Sequence, residues 1–419
     1  MSYSNSLKPA VFCVQDGARL HYAIPRALAD LGWLEGVGTD FFVRPRSLDA
    51  VIAKLSSLRG GLGVSRMRER RCAEIEDRVV SFPLRSMWWR RSRKEFPTAE
   101  DYYEWLSGKT AQWLLRQDFG GVNVVHGFIR NLDPDFCRKC RERGLLTIGD
   151  QMIAPAAIEA KEMESQRLLW PGWEEVTHSA NLRLVKVEEE TWQQLDHITC
   201  ASAYVREGLV ACGVASERIS ILPYPAPERM VSGSPKARHI GKLRVGFVGS
   251  VNLRKGAPVF LEMARRIKGA NVEFVMVGPV SVSSTAANTL RQHVTLTGPV
   301  PRSQVGDHLR SFDVFLFPSV CEGSASVVME ALSAGLPVVT TPNSGTVVRH
   351  GVEGFIHAPD DLDGIEASLR LLLEDDTLRD AHAEAARLRA VEYDLARYGQ
   401  GLQNLLPALL EAQDRLVPG

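Results

Sequence analysis

No charge of either sign dominates this chain of 419 residues: Lys+Arg and Asp+Glu number 50 each. Such a balance argues against generic nucleic-acid binding, which needs a basic face to neutralise phosphates. Cysteine is sparse and scattered, at positions 13, 72, 137, 140, 200, 212 and 321. An odd, dispersed set argues against a disulfide framework and for a reducing compartment. Cys137-Arg-Lys-Cys140 has metal-like spacing, but no second pair follows it, and structural zinc takes four ligands. Two ordinary thiols on a helix after Asp133-Pro134 are expected, and no metal. No apolar run reaches the ~20 residues of a membrane-spanning helix, and no secretory leader is recognised at the start. A cytoplasmic protein is the expectation. Internal repeats and low-complexity tracts are missing too. What remains is ordinary globular composition, 45% hydrophobic and 24% charged. The length predicts about two domains.

Continuous apolar runs alternate with helical patterns. Pro9–Gln15, Val122–His126, Leu145–Ile148 and His197–Ala201 read as buried strands. Helices are expected at His21–Leu31, Ile158–Leu169 and Leu182–Leu195. Strands buried on both faces and separated by helices imply a parallel sheet covered on both sides. The pattern breaks at Pro223-Tyr224-Pro225-Ala226-Pro227 and Ser232-Gly233-Ser234-Pro235, which read as a linker. It restarts with strands at Leu243–Val248, Val272–Val277, Val294–Leu296, Val314–Phe317 and Pro337–Val339. The fold class expected is α/β, with two Rossmann-like halves. The boundaries are 1–228 for the first domain, 229–395 for the second, and 396–419 for a C-terminal helix, with Tyr398–Leu410 as its body.

The richest stretch is Cys321-Glu322-Gly323-Ser324-Ala325-Ser326-Val327-Val328-Met329-Glu330-Ala331, followed by Gly335-Leu336-Pro337-Val338-Val339. Glu322 follows a strand, and Gly323 permits a tight turn at positive φ. A helix is expected from Ala325 to Ala334, stopped by Gly335. The open N–H groups of its first turn would lie between Glu322 and Glu330. Such a terminus attracts anions, and the flanking carboxylates accept hydrogen bonds from hydroxyls. A ligand with hydroxyls at both ends and phosphates between them suits this arrangement.

The string closely resembles the E-x7-E signature of family 4 retaining glycosyltransferases, with Ser324-Ala325-Ser326 in place of the usual F-G-x. The resemblance implies the GT-B fold, two Rossmann-like domains facing across a cleft, with the C-terminal helix crossing back. It implies a sugar moved from a nucleotide-sugar to an acceptor hydroxyl with retention of anomeric configuration. No cofactor and no essential metal are implied.

Gly249-Ser250-Val251-Asn252-Leu253-Arg254-Lys255-Gly256 resembles the family's diphosphate-holding segment; Gly249, Lys255 and Gly256 match, and Ser250 stands where an arginine is usual. Arg254 is a candidate to compensate. By the same carry-over, the catalytic residues expected are His126, Lys255 and Glu322. Donor contacts are expected at Gly17, Gly249, Ser250, Lys255, Pro299, Gly323, Ser324, Ser326, Val327, Val328 and Glu330. Glu322 would hold donor-sugar hydroxyls and Glu330 ribose hydroxyls. The Gly298-Pro299-Val300 loop would border the nucleobase.

Arg59–Lys94 carries eleven Lys/Arg against four Asp/Glu, around Met87-Trp88-Trp89. It reads either as an acceptor- or membrane-facing surface, at the inner face of a membrane, or as a solvated basic face. The acceptor is left open among a glycan, a lipid-linked sugar and a small metabolite. Two competing functions are a non-catalytic nucleotide-sugar-binding assembly subunit and a GT-B nucleotide-sugar epimerase.

Overall fold

The computed structural model describes residues 8–45, 70–82, 92–96, 99–117, 119–175, 182–227, 241–267 and 271–415. Trp88, Trp89 and most of the basic segment 59–94 lie outside the described residues, as does the linker from 228 to 240.

Seven strands form the first sheet: β1 (Val11–Val14), β2 (Leu34–Thr39), β3 (Val79–Ser81), β4 (Val124–Phe128), β5 (Leu146–Gln151), β6 (His197–Cys200) and β7 (Ile219–Ile221). All are parallel, in the order β3-β2-β1-β4-β5-β6-β7. The second sheet holds β8 (Leu243–Val248), β9 (Val272–Val277), β10 (Thr295–Leu296), β11 (Val314–Phe317), β12 (Val338–Thr340) and β13 (Gly354–Ile356). It too is all parallel, ordered β10-β9-β8-β11-β12-β13. Both sheets are doubly wound, because strand order reverses at β1/β4 and at β8/β11. Ligands of open α/β sheets bind beyond the carboxyl ends of strands at such reversals.

Each sheet has its own core. One cluster is built on Phe247, Phe260, Phe315 and Phe317. Two others cover the two faces of the first sheet. The chain passes between the domains at a narrow place: Tyr224 is buried in the first core and Ala226 in the second. It returns nearby. Tyr393 packs on the second core, and its carbonyl accepts the Ala226 N–H at 2.6 Å. The last helix, Leu395–Asp414, then buries Tyr398, Leu402, Leu406 and Leu410 in the first core. So the two crossings are tied to each other.

Strands absent from the sequence reading are short or glycine-bearing. In β2 (LEGVGT), a Cβ on Gly36 would come within 2.8 Å of Phe12, so packing excludes the β-branched residues that mark a strand. The helix expected from His21 begins instead at Ala23. Before it, Leu20, His21 and Tyr22 all have positive φ, of 51°, 51° and 59°. Three consecutive left-handed side-chain-bearing residues persist only where their surroundings over-determine them.

Among the described residues no helix is long and apolar enough to cross a membrane.

Candidate active site

The carboxyl ends of both sheets face one cleft of about 660 Å³. Its first wall comes from the loops after β1 (Arg19, Leu20), β4 (Ile129–Asn131) and β5 (Met152, Ile153). Its second wall comes from the loop after β8 (Gly249, Ser250, Arg254, Lys255) and the stretch from Glu322 to Glu330.

The second wall is built by two strand-to-helix turns. Gly256 caps the helix Ala257–Arg266 with φ 74°, and a Cβ there would lie 2.0 Å from the Pro318 carbonyl oxygen. The close contact draws Lys255 towards the loop that follows β11. Lys255 Nζ is 2.7 Å from Glu322 Oε1, and Arg254 Nη1 donates to the same oxygen at 2.9 Å. Arg254 also donates to the Cys321 carbonyl. Burial pulls the Lys255 pKa below the ordinary lysine value, and Glu322 pulls it back. Glu322 is 13% exposed in its side chain and carries two cations.

The helix after Glu322 spans Ser326–Ser333. Its N-cap, Ala325, supplies no side-chain acceptor; the Val328 N–H donates to the Ala325 carbonyl at 2.8 Å, and the N–H groups of Ser326 and Val327 are left for a ligand. Glu330 lies on the cleft side of that helix, with Arg302 Nη2 3.5 Å from its carboxylate. Burial raises its pKa against the pull of Arg302.

Gly323 differs from expectation: its φ is not positive. Glycine is required there by close approach instead. A Cβ would fall 1.8 Å from the Met152 carbonyl oxygen. This is where the second domain touches the first. The Gly323 carbonyl accepts the Ser202 hydroxyl, and the Glu322 carbonyl accepts the Ala154 N–H at 3.3 Å.

Of the residues named from sequence, Gly249, Ser250, Lys255, Glu322, Gly323, Ser324, Ser326, Val327 and Glu330 all line the cleft. Four do not. Val328 is 1% exposed and belongs to the second core, on the helix face away from the cleft. Pro299 lies in the loop after β10. Gly17, with φ 72°, sits in the loop after β1, where its N–H donates to Asp40 at 2.9 Å. His126 is not the end of its strand: β4 runs on to Phe128, and residues 128–131 take the cleft position. His126 is 3% exposed, its Nε2 is buried without a hydrogen-bond partner, and burial lowers its pKa to about 4.

Sequence reading missed most of the first wall. Arg130 bridges Glu188 at 2.7 Å and Glu159 at 3.1 Å. Asp150 accepts hydrogen bonds from Tyr224 and from Thr199 (2.9 Å), and burial raises its pKa to about 7. No motif announces these residues; they meet only through the order of β4, β5 and β6. Among the described residues no cluster of three His, Cys, Asp or Glu side chains is placed to hold a metal ion.

Residues 242–375 match the family model described as Glycosyl transferases group 1. The sulfoquinovosyl transferase SQD2 of Arabidopsis thaliana is 29% identical over 171 residues, 40% of this chain and 32% of that protein. A D-inositol 3-phosphate glycosyltransferase of Corynebacterium jeikeium (strain K411) is 25% identical over 332 residues, covering 74% of this chain and 72% of that one. The chain spans less than half the length of the first curated relatives it matches. Among solved structures, that of Anabaena Alr3699/HepE in complex with UDP and glucose superposes with a TM-score of 0.62 at 13% identity, over 95% of this chain and 99% of that chain. The likeness carries the fold: two Rossmann-like sheets across a cleft, the GT-B arrangement.

Proposed function

We propose that this protein is a glycosyltransferase that moves a sugar from a nucleotide-sugar to an acceptor hydroxyl with retention of anomeric configuration. One observation carries the proposal. Lys255, Glu322, Glu330 and the uncapped N-terminus of Ser326–Ser333 converge on one cleft between two parallel sheets. The group 1 domain over 242–375 supports it.

Breaking a sugar–phosphate bond leaves negative charge on the departing diphosphate. Lys255 and the helix N–H groups favour that charge as it develops, more than they favour the intact donor. In the free protein Lys255 and Arg254 both lie on Glu322. An arriving diphosphate competes for the two cations, and the released carboxylate then accepts donor-sugar hydroxyls. Glu330 takes the ribose hydroxyls. Arg254, whose guanidinium lines the cleft beside Lys255, supplies the cation that Ser250 lacks. Retention is carried from the motif and is the finer half of the proposal.

The test is turnover. Purified protein is screened with nucleotide-sugars for release of nucleoside diphosphate, with and without candidate acceptors. The anomeric configuration of the product is read by NMR. Donor binding without any cleavage or transfer would favour the binding-only subunit. An inverted product would remove retention.

A further inference from the structure

Five cationic side chains line the cleft: Arg19, Arg130, Arg254, Lys255 and Arg302. Four have carboxylate partners. Arg130 has Glu159 and Glu188, Arg254 and Lys255 share Glu322, and Arg302 reaches Glu330. Arg19 has none among the described residues. Its Nη1 lies 3.6 Å from the Met152 sulfur, and its guanidinium carbon is 5.8 Å from the centroid of the Phe128 ring. Its Nε is buried with no acceptor. A thioether and an aromatic face do not replace the hydration an arginine gives up on burial.

The loop that presents Arg19 is braced. Buried Gln15 donates through Nε2 to the carbonyls of both Gly17 and Arg19, each at 3.0 Å. Buried Asp40 accepts the Gly17 N–H and pairs with Arg70 at 2.6 Å. The three left-handed residues follow directly, and Tyr22 is wedged edge-on against Phe42 at 5.5 Å. So a guanidinium with no carboxylate in ion-pair contact among the described residues is held in place by a strained, cross-tied turn. The charged side chains that act on it are Asp16, Arg130 and Asp40, all in the first domain. Those that act on Lys255 are Glu322 and Arg254, in the second. The two cationic positions stand on opposite walls of one cleft, bridged through Glu159, which lies 3.1 Å from Arg130 and 3.9 Å from Arg254.

We propose that Arg19 binds an anionic group, phosphate or carboxylate, carried by the acceptor. The proposal rests on the transfer reaction proposed above, in which the donor diphosphate lies on the Lys255 wall. A planar guanidinium suits either anion, since both take two parallel N–H donors.

The test separates the two walls. UDP, GDP and ADP are first titrated calorimetrically into wild type and Lys255→Ala. Inorganic phosphate is then titrated into protein saturated with whichever nucleotide binds. The expected result is phosphate binding that weakens at least tenfold in Arg19→Gln and is partly recovered in Arg19→Lys, with nucleotide affinity unchanged in both. Retained nucleotide binding also certifies that each variant is folded. Phosphate binding of equal strength in Arg19→Gln overturns the proposal, as does nucleotide-saturated wild type that takes no phosphate. Loss of nucleotide affinity in Arg19→Gln reassigns the arginine to the donor and overturns it as well. If no nucleotide binds wild type, the transfer reading fails by itself. The phosphate titration is then run on Lys255→Ala, where loss on adding Arg19→Gln still reports the Arg19 wall.

Discussion

The two walls of the cleft are built on one plan, loops at the carboxyl ends of a parallel sheet, yet they settle their charges differently. On the second wall, cations and carboxylates are paired across two short turns that lie close to their motifs in sequence. On the first wall, the polar groups come from loops scattered over the domain. One of them, Arg19, has no carboxylate partner among the described residues. A wall of exchangeable pairs suits a ligand of fixed chemistry, a diphosphate between two sets of hydroxyls. A wall assembled residue by residue suits the acceptor of the reaction proposed above.

That contrast breaks most directly at Lys255. Lys255→Ala removes the cation that the proposed reaction sets against the departing diphosphate and leaves Arg254 on Glu322. Turnover should fall about 10²–10³-fold at saturating donor, the usual cost of losing one preorganised charge-stabilising group. Steady-state kinetics with donor well above its KM checks this. Wild-type turnover would mean that the second wall binds without catalysing.

Glu330 gives the next largest effect. Glu330→Ala should weaken nucleoside diphosphate and nucleotide-sugar alike, by about ten- to a hundredfold, because a charge-assisted hydrogen bond to the ribose is worth about 1.5–3 kcal/mol. Calorimetry with the diphosphate alone is decisive, since no sugar is then present. Unchanged affinity would remove the ribose assignment.

How much of this was legible in the sequence follows the same division. The Glu322–Glu330 string is contiguous, so strand, loop and helix place it by local rules alone. Gly323 reads locally as a positive-φ turn, but the chain needs no positive φ there and must instead pass the Met152 carbonyl, a contact between domains that no local pattern encodes. β2 was invisible because Gly36 and Gly38 make room for Phe12 and Leu114. Arg19, Arg130 and Asp150 became neighbours only when β1, β4 and β5 paired. Arg254 was legible as a residue but not in its direction. Its reach to Glu322 depends on Gly256 lying against Pro318.

The role of Arg254 sharpens the comparison. Arg254→Ala should cost about tenfold in diphosphate affinity, because Lys255 remains to meet the phosphates and one ion pair to Glu322 fewer has to be given up. Adding Ser250→Arg to that variant should restore most of the loss, while Ser250→Arg alone should change little with Arg254 already filling the space. A double variant no better than Arg254→Ala would show that position 250 does not reach the diphosphate.

The smallest effect concerns His126, which motif resemblance put on the first wall and the structure puts inside its sheet. Burial holds its pKa near 4, below the ordinary 6.5. The native state therefore resists a proton that the unfolded chain accepts. The stabilising contribution is full above pH 6.5 and is lost as pH falls towards 4. His197, also lowered to about 4, acts in the same direction. Asp150, raised to about 7, acts in the opposite one, favouring the native state as pH falls from 7 towards the ordinary carboxylate range. Both persist in His126→Gln, so the difference between wild-type and variant stability isolates His126. That difference should change by up to about 1.4 kcal/mol per pH unit between pH 6.5 and 4 and be flat above 7. Urea unfolding at a series of pH values measures it. Donor KM and turnover should move little, because Phe128–Asn131 hold the cleft position at this end of β4. A large loss of turnover with an unaltered pH–stability difference would instead return His126 to the sugar.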